Sequence, residues 1–139
     1  MQAIRPLLAC TIDDLSLLRL PVLVSAKLDG IRCVIDGGVA ISRNGKPIRN
    51  SYIQRCLAQP INNGFDGELI VGPPSGDGVY ARSTSCVMSS DGEPDFTYWV
   101  FDRHDLGNAG YDYRFKALYE GNHPRICLLY TSPSPRDVE

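Results

Sequence analysis

The chain has 139 residues, of which 43% are hydrophobic and 22% are charged. This length and composition predict one soluble globular domain, or part of one, and argue against a disordered chain. Fourteen basic and sixteen acidic side chains give a net charge of −2, which excludes a protein that coats nucleic acid by charge alone. No uncharged apolar run reaches the roughly 18 residues that a membrane-spanning helix needs, and the N-terminus makes a poor signal peptide.

Periodicity and turn residues predict the elements in chain order. A helical turn capped by Asp13 or Asp14 is predicted within residues 12–20. Apolar or alternating runs predict strands at 22–26 (buried), 31–36 (half-buried), 39–42, 65–71 and 96–102. Helices are predicted from Asn50 or Ser51 to about Ala58 and over 111–120, with an exposed loop at 72–78. Because Asp36-Gly37-Gly38 is a hairpin signal, we expect antiparallel strands and an α+β fold.

Charge is unevenly distributed along the chain. Residues 19–55 carry a net charge of +5, and residues 66–105 carry a net charge of −6. This asymmetry predicts one side that faces phosphate and one that faces a metal or a ribose; a solvated charge pattern is the alternative. The five cysteines are widely spaced and form no CxxC pair. We therefore expect no zinc site, and a reducing, cytoplasmic location.

The C-terminal segment 127–139 differs from the rest of the chain. Its first eleven residues, CLLYTSPSPRD, resemble one reading frame of a sequencing-library adapter. We therefore expect residues 1–126 to be part of a natural domain and 127–139 to be a non-native tail. The alternative is a disordered tail rich in serine and proline.

Lys27 directly follows a predicted apolar strand and precedes the turn Asp29-Gly30. This position predicts a half-buried lysine at the mouth of a cleft. Half burial favours the neutral amine, which is a nucleophile, whereas the ammonium is not. Arg32 and Arg43 lie on neighbouring strands of the predicted hairpin and could hold phosphate oxygens. The pattern indicates attack on a phosphorus atom; the alternative is a surface lysine before an ordinary turn.

Four segments, in order, resemble the motifs of the covalent nucleotidyltransferases, the superfamily of ATP-dependent DNA ligases, RNA ligases and mRNA capping enzymes. The resemblance covers about residues 5–105 and is closest to small bacteriophage-type ATP-dependent DNA ligases. The matching segments are Lys27-Leu-Asp29-Gly30-Ile-Arg32 (KxDGxR), Ser42-Arg43-Asn44-Gly45, Phe65-Asp66-Gly67-Glu68-Leu69 (DGEL) and Tyr98-Trp99-Val100-Phe101-Asp102.

The resemblance implies a fold and a reaction. The fold would be an antiparallel-sheet, ATP-grasp-like nucleotidyltransferase domain. A lysine amine would attack the α-phosphorus of ATP, with Mg²⁺ assisting the departure of pyrophosphate. AMP would pass to the 5′-phosphate at a nick in double-stranded DNA, and the adjacent 3′-hydroxyl would displace it. This chemistry serves DNA replication and repair, and we expect a monomer.

The resemblance also implies roles for residues near the lysine. Lys27 would be the nucleophile. Asp29 and Gly30 would form the loop that orients it, although Asp29 is also an ordinary turn residue. Arg32 and Arg43 would contact AMP or the 5′-phosphate.

Two further roles are implied farther along the chain. Glu68 would bind the ribose or a catalytic metal, and the alternative is a strand carboxylate that faces water. Phe101 would stack on the adenine. A core phenylalanine is equally compatible with the sequence, because Tyr98 and Trp99 compete for the same strand.

The sequence also departs from the family pattern. A second acidic motif and a strand with paired lysines are missing between residues 102 and 126, and an OB domain is absent. We therefore expect this chain to be weakly active or inactive. A capping-type guanylyltransferase, an RNA ligase and a non-catalytic nucleotide-binding module remain alternatives. An NAD-dependent ligase is disfavoured, because its nicotinamide-binding region would not fit in the twenty-six residues before Lys27.

The adapter interpretation is tested by sequencing the source gene past the codon for Ile126. We expect a reading frame that continues into a second acidic motif, a strand with paired lysines and an OB-like region. A gene that encodes CLLYTSPSPRDVE and then stops would contradict it and favour a non-catalytic module.

Overall fold

The computed structural model describes residues 4–118, 123–130 and 132–133. Within them, seven strands form two sheets, one of five strands in the order β3-β2-β4-β5-β6 and one of two strands, β1 and β7. The strands are β1 (Leu23–Val24), β2 (Ile31–Asp36), β3 (Val39–Ser42), β4 (Phe65–Val71), β5 (Phe96–Arg103), β6 (Ile126–Leu128) and β7 (Ser132–Pro133). Neighbours from β3 to β5 are antiparallel, and β6 joins β5 in parallel. The predicted α+β class is confirmed, with β6 as the parallel exception.

The predictions for the large sheet are confirmed closely. β2, β3 and β4 have the predicted bounds, and β5 runs one residue further than predicted, to Arg103. The prediction of a buried strand over 22–26 is wrong, because β1 has two residues and both are exposed. Apolar composition predicted burial, but β1 lies outside the five-stranded sheet on which the core is built.

In the part of the chain that the structure describes, three α-helices accompany the sheet: α1 (Ser51–Leu57), α2 (Val79–Val87) and α3 (Tyr111–Lys116). Asn50 caps the start of α1, one of the two predicted caps, and its side chain accepts a hydrogen bond from the Ile53 amide. The sequence did not predict α2. Short 3-10 helices occupy Leu15–Leu17, where Asp14 caps the turn as predicted, Pro60–Asn62 and His104–Leu106. In the described stretches, no helix has the length and apolar character to cross a membrane.

The hydrophobic core lies on the face of the sheet that α1 covers. Tyr98 and Phe96 of β5 are fully buried there with Phe65 and Leu69 of β4. The Tyr98 hydroxyl donates a 2.8 Å hydrogen bond to the Cys33 carbonyl oxygen, so its polar atom is satisfied inside the core. The opposite face of the sheet carries charged residues together with the buried apolar residues Val34 and Ile70.

Part of segment 127–139 is described. Cys127 and Leu128 complete β6, and β7 pairs with β1. Residues 131 and 134–139 lie outside the described residues. The adapter origin of this segment stays a prediction.

A β-bulge separates two registers between β4 and β5. Asp66 pairs with Asp102, whereas the next residue, Gly67, pairs with Val100, so Phe101 is the extra residue. A Cβ atom on Gly67 would lie 2.3 Å from the Trp99 carbonyl oxygen. The bulge therefore requires glycine at position 67.

Gly67→Ala should lower the free energy of unfolding by about 3 kcal/mol, because the new methyl group meets backbone that cannot move aside. Urea denaturation measures the change. Gly107→Ala is the matched control, since its Cβ would meet one atom, the His104 carbonyl oxygen, at 3.4 Å. Equal effects of the two substitutions would contradict the packing argument.

Candidate functional site

One face of the large sheet collects the predicted site residues. Arg32 of β2 pairs with Glu68 of β4, and Glu68 pairs with Trp99 of β5. Residues directly opposite each other on antiparallel strands share a face, and so do residues two apart on one strand. Arg32, Asp66, Glu68 and Trp99 therefore lie on one side of the sheet, which we call the site face.

Arg32 is the most firmly held side chain of this face. Its Nε and Nη2 atoms donate to the two carboxylate oxygens of Asp66, each at 2.7 Å, and Nη1 donates to the Leu7 carbonyl oxygen at 2.8 Å. The guanidinium carbon lies 5.0 Å from the centre of the Phe101 ring. Desolvation lowers the pKa of Arg32, but the hydrogen bonds and charge of Asp66 outweigh it and the pKa is raised. Arg32 is thus a fixed cation.

Asp66 was absent from the residues predicted to form the site. Its side chain is only 4% exposed, and it holds Arg32 in a bidentate pair. The DGEL motif contains it, but the sequence did not distinguish a residue that binds ligand from one that holds another residue. Its deep burial indicates that Asp66 holds Arg32 in place and does not contact a ligand itself.

Glu68 is half-buried beside this ion pair. Burial raises the pKa of Glu68 to about 7, against the lowering effect of Arg32 and with a further rise from Asp66. Its carboxyl group is therefore close to half protonated at neutral pH. In that state it can both accept a hydrogen bond from a ligand hydroxyl and donate one.

Gly30 brings the lysine loop against β4. A Cβ atom on Gly30 would lie 2.2 Å from the Leu69 carbonyl oxygen and 3.0 Å from Glu68 Cγ. Only a glycine lets the backbone approach so closely. The predicted loop residue Gly30 therefore sits beside Glu68, three residues after Lys27.

Lys27 is exposed, so the prediction that it is half-buried is wrong. Its side chain is 88% exposed, and Nζ donates to Asp29 Oδ1 at 3.3 Å. The reason is that β1, the strand before the lysine loop, lies at the surface, so the chain is already exposed when it reaches Lys27. An ion pair this exposed contributes little to stability, but it keeps the Asp29 carboxylate beside the amine.

Arg43 lies in the turn that follows β3. The last paired residues of the hairpin are Cys33 and Ser42, which leaves Arg43 one position beyond, at the Arg32 end of the hairpin. Arg43 is exposed. No hydrogen bond or ion pair involves its side chain within the described residues, so its guanidinium is available to an anion.

The three aromatic candidates separate clearly. Tyr98 belongs to the core. Phe101 is half-buried on the site face, with Arg32 against one face of its ring. Trp99 is also on the site face, and its indole nitrogen is buried without a hydrogen-bond partner in the described part of the chain. Phe101 and Trp99 thus both remain candidates for contact with a base.

The donor set fits a nucleotide better than a bare metal ion. Across the described ranges, no group of three or more His, Cys, Asp or Glu residues could hold a metal. Mg²⁺ in phosphate sites binds one or two carboxylates together with substrate phosphates. Glu68 could contribute only in that way, while Lys27 and Arg43 suit phosphate and an aromatic ring suits a base.

Known structures resemble this fold. No protein-family model and no curated protein matches the sequence. The chain is similar to two solved structures of Chlorella virus DNA ligase-adenylate, at 29% identity with a TM-score of 0.68 and at 26% identity with a TM-score of 0.67. Each similarity covers 96% of this chain.

The fold is DNA ligase-like. The similarity takes in the five-stranded mixed sheet, since it covers nearly the whole of this chain. The chain spans about half, 51%, of the length of the ligase chains that it resembles. The similarity supports the sequence-based resemblance at the level of the fold, and the roles of individual site residues stay predictions.

The raised pKa of Glu68 makes stability depend on pH. In the unfolded chain Glu68 loses its proton near its ordinary pKa of 4.5, whereas in the folded chain it keeps the proton until the pH reaches about 7. The free energy of unfolding therefore falls as the pH rises from 4.5 through about 7. Glu68→Gln removes this loss of stability, because glutamine does not titrate. We expect its stability advantage over the native chain to grow by about 2 kcal/mol across this window.

Urea denaturation at a series of pH values measures this advantage. Glu93→Gln is the control, because the Glu93 side chain is 71% exposed. If the curves for Glu68→Gln and the native chain run parallel between pH 4.5 and 8, the burial of a titrating carboxyl at position 68 is refuted.

Proposed function

We propose that this chain is the ATP-dependent adenylating part of a DNA ligase. One observation carries the proposal. A single sheet face brings Arg32, Glu68 and Phe101 beside the loop that starts at Lys27, in a fold that resembles DNA ligase-adenylate structures. An amine, fixed and free guanidinium groups, a hydroxyl-binding carboxyl and an aromatic ring are the groups that binding and activating ATP requires.

In the proposed reaction, the neutral amine of Lys27 attacks the α-phosphorus of ATP. A phosphorus–nitrogen bond forms, the bond to the pyrophosphate oxygen breaks, and the amine loses its proton. Lys27 is exposed, which gives a bulky triphosphate access to it. Glu68 is a residue of this face that would help to hold Mg²⁺ together with the phosphates, and the ion would supply charge neutralisation for the departing pyrophosphate.

The other residues would hold the nucleotide. Arg43 has free donors for a phosphate group. Arg32, held by Asp66, would present its remaining donors to AMP or to the 5′-phosphate. Glu68 would bind the ribose, and Phe101 would stack on the adenine. Asp29 would orient the amine of Lys27.

The later steps would use DNA. AMP would move from Lys27 to the 5′-phosphate at a nick in double-stranded DNA, and the adjacent 3′-hydroxyl would then attack and release AMP. We propose that the basic segment 19–55 faces this DNA. Five unpaired cysteines are compatible with a reducing cytoplasm as the compartment, and we propose that the protein acts as a monomer.

Covalent labelling tests the proposal. The chain is incubated with Mg²⁺ and ATP carrying a labelled α-phosphate, and the modified residue is identified by mass spectrometry. We expect slow, partial labelling on Lys27, with loss of the label of at least tenfold in Lys27→Arg, because the guanidinium stays protonated and cannot attack. Lys116→Ala, at an exposed helical lysine, should label like the native chain.

The outcomes separate the alternatives. A label that persists in Lys27→Arg, or that lies on another residue, would refute Lys27 as the nucleophile. Nucleotide binding without any label would favour the non-catalytic module. A preference for GTP over ATP would favour the capping-type alternative.

A further inference from the structure

The N-terminal segment contacts the site face through a main-chain carbonyl oxygen. We call residues 4–13 the N-terminal arm. Leu7 and Leu8 of the arm are 79% and 62% exposed, so these side chains pack poorly. The Leu7 carbonyl oxygen accepts a 2.8 Å hydrogen bond from Arg32 Nη1. Over the described residues this is the one hydrogen bond that joins the arm to the sheet, and Arg32 donates it.

The guanidinium of Arg32 is consequently held from three directions. Asp66 binds the edge formed by Nε and Nη2, Phe101 lies against the plane, and the Leu7 carbonyl takes one hydrogen of Nη1. Arginine has five N–H donors. Three of them are used, which leaves one on Nη1 and one on Nη2.

We propose that the main-chain carbonyl of Leu7 is a positioning group for Arg32, which fixes the direction of its two remaining donors toward the bound nucleotide or 5′-phosphate. The inference rests on the proposed function for the identity of that ligand. A hydrogen bond from a charged donor is stronger than one between neutral groups. This bond therefore restrains Nη1 on the side that Asp66 does not reach.

The chain offers a direct chemical test. Cys10 allows a synthetic peptide of residues 1–9 to be joined to a chain that begins at Cys10. Replacing the amide between Leu7 and Leu8 by an ester weakens the Leu7 carbonyl as an acceptor and leaves every side chain in place. The matched control places the ester between Leu8 and Ala9, where the Leu8 carbonyl makes no hydrogen bond within the described residues. The all-amide ligated chain is the reference.

Two measurements are made on each ligated chain. Nitrogen-15 NMR of the arginine side chains should show faster rotation about the Cζ–Nη1 bond of Arg32 in the Leu7 ester alone. Titration with ATP should show a dissociation constant about three- to tenfold larger in the same chain, which corresponds to about 0.7–1.4 kcal/mol. Both properties should stay at the reference value in the control ester.

Contrary results are well defined. Unchanged Arg32 signals in the Leu7 ester would overturn the inference. An ATP dissociation constant in the Leu7 ester equal to that of the reference chain would also overturn it, because the carbonyl would then be merely structural. If the reference chain binds no ATP, the proposed function fails, and the NMR signals still decide whether Leu7 holds Arg32.

Discussion

The bidentate ion pair between Arg32 and Asp66 holds the site face together. Both side chains are largely removed from water, at 19% and 4% exposure. Loss of one partner would leave an uncompensated buried charge, which costs about 3–5 kcal/mol. The pair joins neighbouring strands β2 and β4, and its Arg32 donates the hydrogen bond to the Leu7 carbonyl oxygen of the N-terminal arm. Burial raises the pKa of the adjacent Glu68, while Arg32 lowers it and Asp66 raises it further. Most of the site geometry therefore depends on one aspartate.

The same pair shows where the basic and acidic segments of the sequence meet in the fold. The basic segment 19–55 supplies β2, and the acidic segment 66–105 supplies β4. These strands are neighbours in the sheet, so Arg32 meets Asp66 and Glu68 directly. Arg32 and Asp66 are far apart in sequence, but they form a largely buried ion pair between neighbouring strands.

Local signals predicted much of the fold. Alternation and turn residues located β2 and β4 with their exact bounds, and the capping residue Asn50 located the start of α1. Tertiary context decided the rest. An apolar run predicted a buried β1, but no sequence pattern reveals that a strand lies outside the main sheet, and the expected burial of Lys27 failed for the same reason. Motif resemblance selected Glu68 and Arg32. The role of Asp66 in holding Arg32 follows only from the tertiary contact between their side chains.

The bulge at Phe101 sets the phase of side-chain alternation along β5. Up to Val100, residues opposite the core-facing positions of β4 point inward; the extra residue shifts this order, so that Asp102 emerges on the site face opposite Asp66. There its carboxylate receives a 2.8 Å hydrogen bond from Arg114 of α3. Regular pairing of the same residues without a bulge would place Phe101 opposite Asp66 and Asp102 opposite Phe65, with the Asp102 carboxylate facing the apolar layer. The bulge therefore shifts the register of β5 by one residue, and it determines which face of the sheet the last side chains of β5 point toward.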